Sequence, residues 1–104
     1  MRFGSFLELP RPEGATSTQA YEQTFAHVDM AEELGLDTIC LAEFHFTPNR
    51  VISSPLMLGS AIAGRTKRIR VATSVLVLPL TNPLRVAEET ATLDNISGGR
   101  FEFG

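Results

Sequence analysis

Within the stretch CLAEFHFTPN, Cys40 to Asn49, two side chains can do proton chemistry together: Glu43 and His45. A carboxylate only accepts hydrogen bonds, whereas a neutral imidazole donates from one nitrogen and accepts at the other. A glutamate two residues from a histidine can therefore fix the tautomer of the ring and leave the second nitrogen for general acid–base work. Phe44 and Phe46 alternate with the pair and supply apolar walls. A purely local role, with Glu43 capping or salt-bridging and His45 satisfied in a half-buried place, accounts for the same residue types. Glutamate and histidine are also metal ligands, but a site needs at least one more, and the only other histidine, His27, lies in a helical stretch.

Other catalytic patterns are absent. GGRFEFG lacks the spacing of a dinucleotide loop, GRTKR is not a phosphate loop, and no GxSxG occurs. Cys40 is the single cysteine, which rules out an internal disulfide, suits a reducing, cytoplasmic setting, and reads as a small hydrophobe.

The elements that must position the pair alternate in type. RFGSFLEL (Arg2 to Leu9) reads as a strand closed by prolines. Tyr21, Phe25, Val28, Ala31 and Leu34 then recur at helical spacing, with Ser17 or Thr18 as cap, no strict capping box, and Gly35 as stop. LDTICLA is a short continuous apolar run, as in a strand covered on both faces. If that strand extends to His45, then Ile39, Leu41, Glu43 and His45 share one face, with Phe44 and Phe46 on the other.

Ser54–Pro55 and Asn82–Pro83 each place a capping side chain before a proline at the first helical position. The first of these helices is expected to stop at Gly64. The second is expected to carry Leu84, Ala87, Ala91 and Asp94 on one face, with Leu93 and Ile96 flanking, and to stop at Gly98 and Gly99. Ile69 to Pro79 is the third strand, and RFEFG opens a fourth. Two prolines, Pro79 and Pro83, stiffen the loop after the third strand. Strand–helix alternation implies parallel strands and right-handed crossovers, either in an open doubly wound sheet or in a (β/α)8 barrel. Since a barrel takes about 250 residues, residues 1–104 would be its first three and a half units, an incomplete N-terminal part.

Composition limits the partners. The 104 residues are 43% hydrophobic and 20% charged, with a net charge of −3. That is ordinary globular composition without the basic footprint of a nucleic-acid binder. The cluster Arg65, Lys67, Arg68 and Arg70 reads as a solvated turn. No leader pattern is seen at the start, and no apolar run approaches the roughly 18 residues of a membrane span.

Several stretches together resemble the N-terminal part of the bacterial luciferase-like flavin monooxygenases: MRFGSF, AEELGLDTICLAEFHFTP, GRTKRIRVATSVLVLPLTNPLRVAEE and LDNISGGRFEFG. The resemblance runs from Met1 to Gly104 with little gapping. It implies a (β/α)8 barrel that uses reduced FMN, supplied by a flavin reductase, and O2 on a small organic substrate. In some relatives the deazaflavin F420 takes the place of FMN. It also implies a homo- or hetero-oligomer when the protein is complete.

Residue by residue, Glu43 and His45 match the acidic position and second histidine of the family's E-H-H-F segment. Phe44 stands where luciferases have the first histidine, the one linked to acid–base chemistry. Phenylalanine cannot exchange a proton, so the expected enzyme does not emit light. Ser74 and Val75 match the cofactor-binding pair that forms a non-proline cis peptide beneath the flavin in luciferases. Phe44, Phe46 and Val75 would form the dry pocket. The competing assignments are an F420-dependent oxidoreductase, a metal-dependent barrel hydrolase built on Glu43 and His45, and an inactive truncated fragment. The 104 residues alone are expected to bind FMN weakly and to expose apolar strand edges.

Overall fold

The computed structural model describes residues 1–104. Its elements run β1 (Gly4–Leu7), α1 (Ser17–Glu33), β2 (Thr38–Leu41), α2 (Pro55–Arg65), β3 (Arg70–Thr73), a 3-10 turn (Leu78–Leu80), α3 (Pro83–Ser97) and β4 (Phe101–Glu102). The four strands form one parallel sheet in the order β1-β2-β3-β4.

That order decides between the two architectures. A right-handed crossover from each strand to its next neighbour, always in the same direction, puts every helix on the same side of the sheet. A doubly wound sheet needs a reversal of strand order to place helices on both sides. Here Ile39, Leu41 and Val71 pack with Val28, Ala31, Leu58 and Ile62 in one helix-facing core. A smaller cluster of Leu56, Ala63, Leu76, Val86 and Leu93 joins α2 to α3. The opposite face stays partly open, with Phe6 exposed and Thr38, Cys40, Arg70 and Glu102 half-buried. The fold is α/β, a partial (β/α)8 barrel. Within residues 1–104, β2 is covered on its helix face and partly open on the other.

Helix starts follow the local chemistry, with two differences. Helix α1 begins one residue earlier than expected, at a true capping box. Thr16 Oγ1 accepts from the Gln19 N–H at 3.1 Å, and Gln19 Oε1 accepts from the Thr16 N–H at 2.9 Å. Helix α3 starts as expected, with Asn82 accepting from the Leu84 N–H and Gly98 left-handed at its end. Helix α2 has Pro55 in its first turn, but the Ser54 hydroxyl makes no capping bond.

Helix α2 also runs past Gly64 to Arg65. Its exit is fixed by Arg100, whose guanidinium donates to the carbonyls of Ala63, Thr66, Ile69 and Ser97 and to Thr66 Oγ1. That guanidinium joins the ends of α2 and α3 to the start of β3.

Faces differ more. Leu34 is exposed, and α1 buries Ala20, Thr24, Val28 and Ala31, with Tyr21 and Phe25 half-buried. On α3 the buried residues are Val86, Leu93 and Ser97, while Leu84, Ala87, Ala91, Asp94 and Ile96 are exposed. The basic cluster is engaged rather than merely solvated. Arg65 forms a two-pronged pair with Asp29, Arg70 pairs with Glu102, and the backbone of Lys67 and Arg68 binds Glu32.

Candidate active site

The strands are shorter than expected, which changes how the candidate residues are placed. β1 ends at Leu7, and Leu9 takes a positive φ of 45° before Pro10. After β2, the Ala42 N–H still reaches the Leu7 carbonyl at 3.1 Å, but the Phe44 N–H turns away to the Ile52 carbonyl at 2.8 Å. The chain has left the sheet by then. Glu43 and His45 are therefore loop residues at the C-terminal end of β2, and strand alternation does not place them.

They meet nonetheless. His45 Nε2 lies 2.5 Å from Glu43 Oε1. Because the carboxylate only accepts, Nε2 carries the hydrogen. Nδ1 has no hydrogen-bond partner in the chain and is the nitrogen left to exchange a proton. The Glu43 side chain is 4% exposed and that of His45 is 28% exposed. The carboxylate is thus shielded and the imidazole remains reachable. Glu43 Oε2 is used as well, accepting from the Val77 N–H at 2.8 Å.

β3 ends at Thr73, so the residues after it form a connecting segment rather than the long strand expected through Pro79. The Ser74–Val75 peptide is cis. The Ser74 N–H binds the Leu41 carbonyl at 2.8 Å, and the Leu76 N–H binds the Gly104 carbonyl at 2.9 Å. Ser74 and Val75 are exposed. A bare hydroxyl beside an apolar side chain, near a face carrying Phe6, Cys40 and Ala72, fits a planar ring with polar edges. These are the residues of the chain that could hold such a group.

Phe44 and Phe46 do not share a face. Phe44 is half-buried, packs on the helix-side core, and lies under the Arg50 guanidinium at 5.6 Å. Phe46 is fully exposed with φ of 54°. His27 is engaged with Ser5 Oγ at 2.8 Å on α1, and no third metal-ligating side chain joins Glu43 and His45. Burial, with the charge of Glu102 added, pushes the Cys40 thiol up, away from the thiolate a nucleophile needs.

Two contributors have no short motif. The contact between Glu43 and the Val77 amide spans 34 positions in sequence. The loops after β1 and β2 are also laced together. Pro10 bridges Arg50, the Val51 N–H reaches the Leu9 carbonyl, and Arg11 donates to the Pro48 carbonyl at 2.6 Å. Only tertiary contact reveals either.

Known proteins are similar to this chain in sequence and fold. An alkanal monooxygenase alpha chain of Photorhabdus laumondii is 36% identical over 104 residues, 100% of this chain and 29% of the relative. The oxygenating constituent of 3,6-diketocamphane monooxygenase from Pseudomonas putida, a type II Baeyer–Villiger monooxygenase solved with FMN, superposes with a TM-score of 0.93. It is 25% identical, over 100% of this chain and 29% of that one. A coenzyme F420-dependent tetrahydromethanopterin reductase from Methanopyrus kandleri is similar with a TM-score of 0.70, 26% identical, over 99% of this chain and 26% of that one. The chain thus spans under a third of the length of these relatives. The family model for luciferase-like monooxygenases matches residues 1–104. The sheet order fits this end-to-end match, and the chain belongs to the luciferase-like monooxygenase family.

Proposed function

We propose that these residues are the N-terminal part of a flavin-dependent monooxygenase that uses reduced FMN and O2 on a small organic substrate. The observation that carries this is the Glu43–His45 pair, tied through Val77 to the segment that exposes Ser74 and Val75. Bound reduced flavin would supply the oxygen-activating chemistry, and the protein supplies orientation and dryness.

Each residue has a defined task in this proposal. Val75 and Ser74 hold the ring. Glu43 keeps the hydrogen on Nε2 of His45, and Nδ1 of His45 holds or passes a proton beside the reacting atoms. Val75, apolar and exposed beside Ser74, would help keep water from diverting the oxygen chemistry to hydrogen peroxide. Phe44 cannot exchange a proton, which argues for a reaction without light emission.

A flavin reductase is the proposed source of reduced FMN. The name of the Photorhabdus relative, an alpha chain, favours an assembly of more than one chain. The lone, half-buried Cys40 suits a cytoplasmic setting. No helix is long and apolar enough to cross a membrane.

The test is His45→Ala in the full-length protein. Flavin oxidation should continue while oxygenated product falls and hydrogen peroxide rises to replace it. Unchanged coupling would remove His45 from the reaction. The F420-dependent relative favours a second reading, a deazaflavin oxidoreductase on the same fold. Turnover supported by F420 and not by FMN would select it.

A further inference from the structure

We propose that Glu43 is a positioning residue that locks the segment Ser74–Val77 to the loop carrying His45, so that the flavin-holding wall and the proton-handling ring form one rigid unit. The flavin part rests on the function proposed above; the tether itself does not.

The backbone explains why a side chain is needed there. Ser74 is held by the carbonyl of Leu41 and Leu76 by that of Gly104, both through sheet-like bonds. The Val77 N–H makes no backbone bond and donates to Glu43 Oε2. The chain then turns into the short 3-10 stretch at Leu78. Glu43 reaches this amide from the end of the adjacent strand, with its other oxygen on His45. A carboxylate this shielded from water has to satisfy both oxygens within the protein, and these two donors do so. One side chain thereby sets the distance between the two loops.

Glutamine separates the two arms. Its amide oxygen can keep the Val77 bond, but its amide nitrogen then donates to His45 Nε2, which forces the imidazole hydrogen to Nδ1. Alanine removes both arms, and His45→Ala removes only the proton arm.

The experiment compares full-length wild type, Glu43→Gln, Glu43→Ala and His45→Ala, each first shown to be folded by circular dichroism. Hydrogen exchange of the Val77 amide is read without flavin, and FMN affinity is read by fluorescence titration. A lost hydrogen bond to a charged acceptor amounts to about tenfold or more in an equilibrium. Glu43→Ala should therefore speed Val77 exchange and weaken FMN by about that factor. Glu43→Gln keeps an uncharged acceptor and should lose clearly less than Glu43→Ala in both, and His45→Ala should stay close to wild type in Val77 exchange. Nitrogen-15 shifts of His45 should report the reversed tautomer in Glu43→Gln.

Protected Val77 and unchanged FMN affinity in Glu43→Ala would overturn the proposal. Equal losses in Glu43→Gln and Glu43→Ala would also overturn it. If wild type takes up no FMN, the proposed function fails, and the Val77 exchange rates alone decide the tether.

Discussion

Glu32 gives the sharpest stability test, because one carboxylate near the end of α1 holds the turn that leads into β3. It accepts from the Lys67 N–H at 2.9 Å, the Arg68 N–H at 3.0 Å and the Ile69 N–H at 2.8 Å. Its side chain is 18% exposed. In Glu32→Ala the half-buried Ile69 amide loses its acceptor, at about 1–3 kcal/mol, and the exposed Lys67 and Arg68 amides lose about 0.5–1 kcal/mol each as water replaces the carboxylate. The sum is about 3 kcal/mol. Glu32→Gln keeps one acceptor oxygen without the charge and should cost roughly half of that.

The pH dependence makes the test specific. Burial pushes the Glu32 carboxyl up, but the amides of Ile69, Lys67 and Arg68 and the Arg68 charge outweigh it and hold the carboxyl below its ordinary 4.5. A group whose folded value is depressed adds stability that is fully present above the unfolded value and is lost as pH falls through the folded one. As pH drops below 4.5, wild type should converge on Glu32→Gln, because a protonated glutamic acid and a glutamine offer the same carbonyl acceptor. Urea unfolding of both proteins at neutral pH and at several acid values measures the gap directly. A gap that stays constant with pH, or a Glu32→Ala cost below about 0.5 kcal/mol, would refute the reasoning.

Two further substitutions test the packing and hydrogen bonding around the sheet. Arg100→Lys replaces a planar fork that serves five acceptors with a point charge, and should lose about 2 kcal/mol or more in urea unfolding; a near-neutral result would show that water replaces the fork. A Cβ at Gly59 would meet Leu93 Cδ2 at 3.1 Å and Val71 Cγ1 at 3.3 Å where α2 sits on β3 and α3, so Gly59→Val should lower the unfolding free energy by about 1–3 kcal/mol, and an unchanged melting point would count against that tight contact.

Local sequence determined the order of elements and most helix ends, but not the strand ends. Proline in the first turn starts α2 and α3, and Gly35 and Gly98 take the left-handed conformation past α1 and α3. Such signals act over a few residues, so they can be read without knowing the fold. The capping box at Thr16 and Gln19 is equally local, but Ser17 and Thr18 offer competing hydroxyls beside it.

Tertiary structure decided which faces are buried and how the site is built. Helix α3 buries Val86 and Leu93 instead of Leu84, Ala87 and Ala91 because its contact with α2 and β4 selects one stripe among several that are apolar enough. Residue types at Glu43 and His45 marked proton chemistry from the start. Their geometry came from elsewhere, because β2 ends at Leu41 and the pair meets in a loop whose other contact is an amide 34 positions away. No local pattern encodes a bond over that separation. It exists only because parallel pairing brings the ends of β2 and β3 side by side.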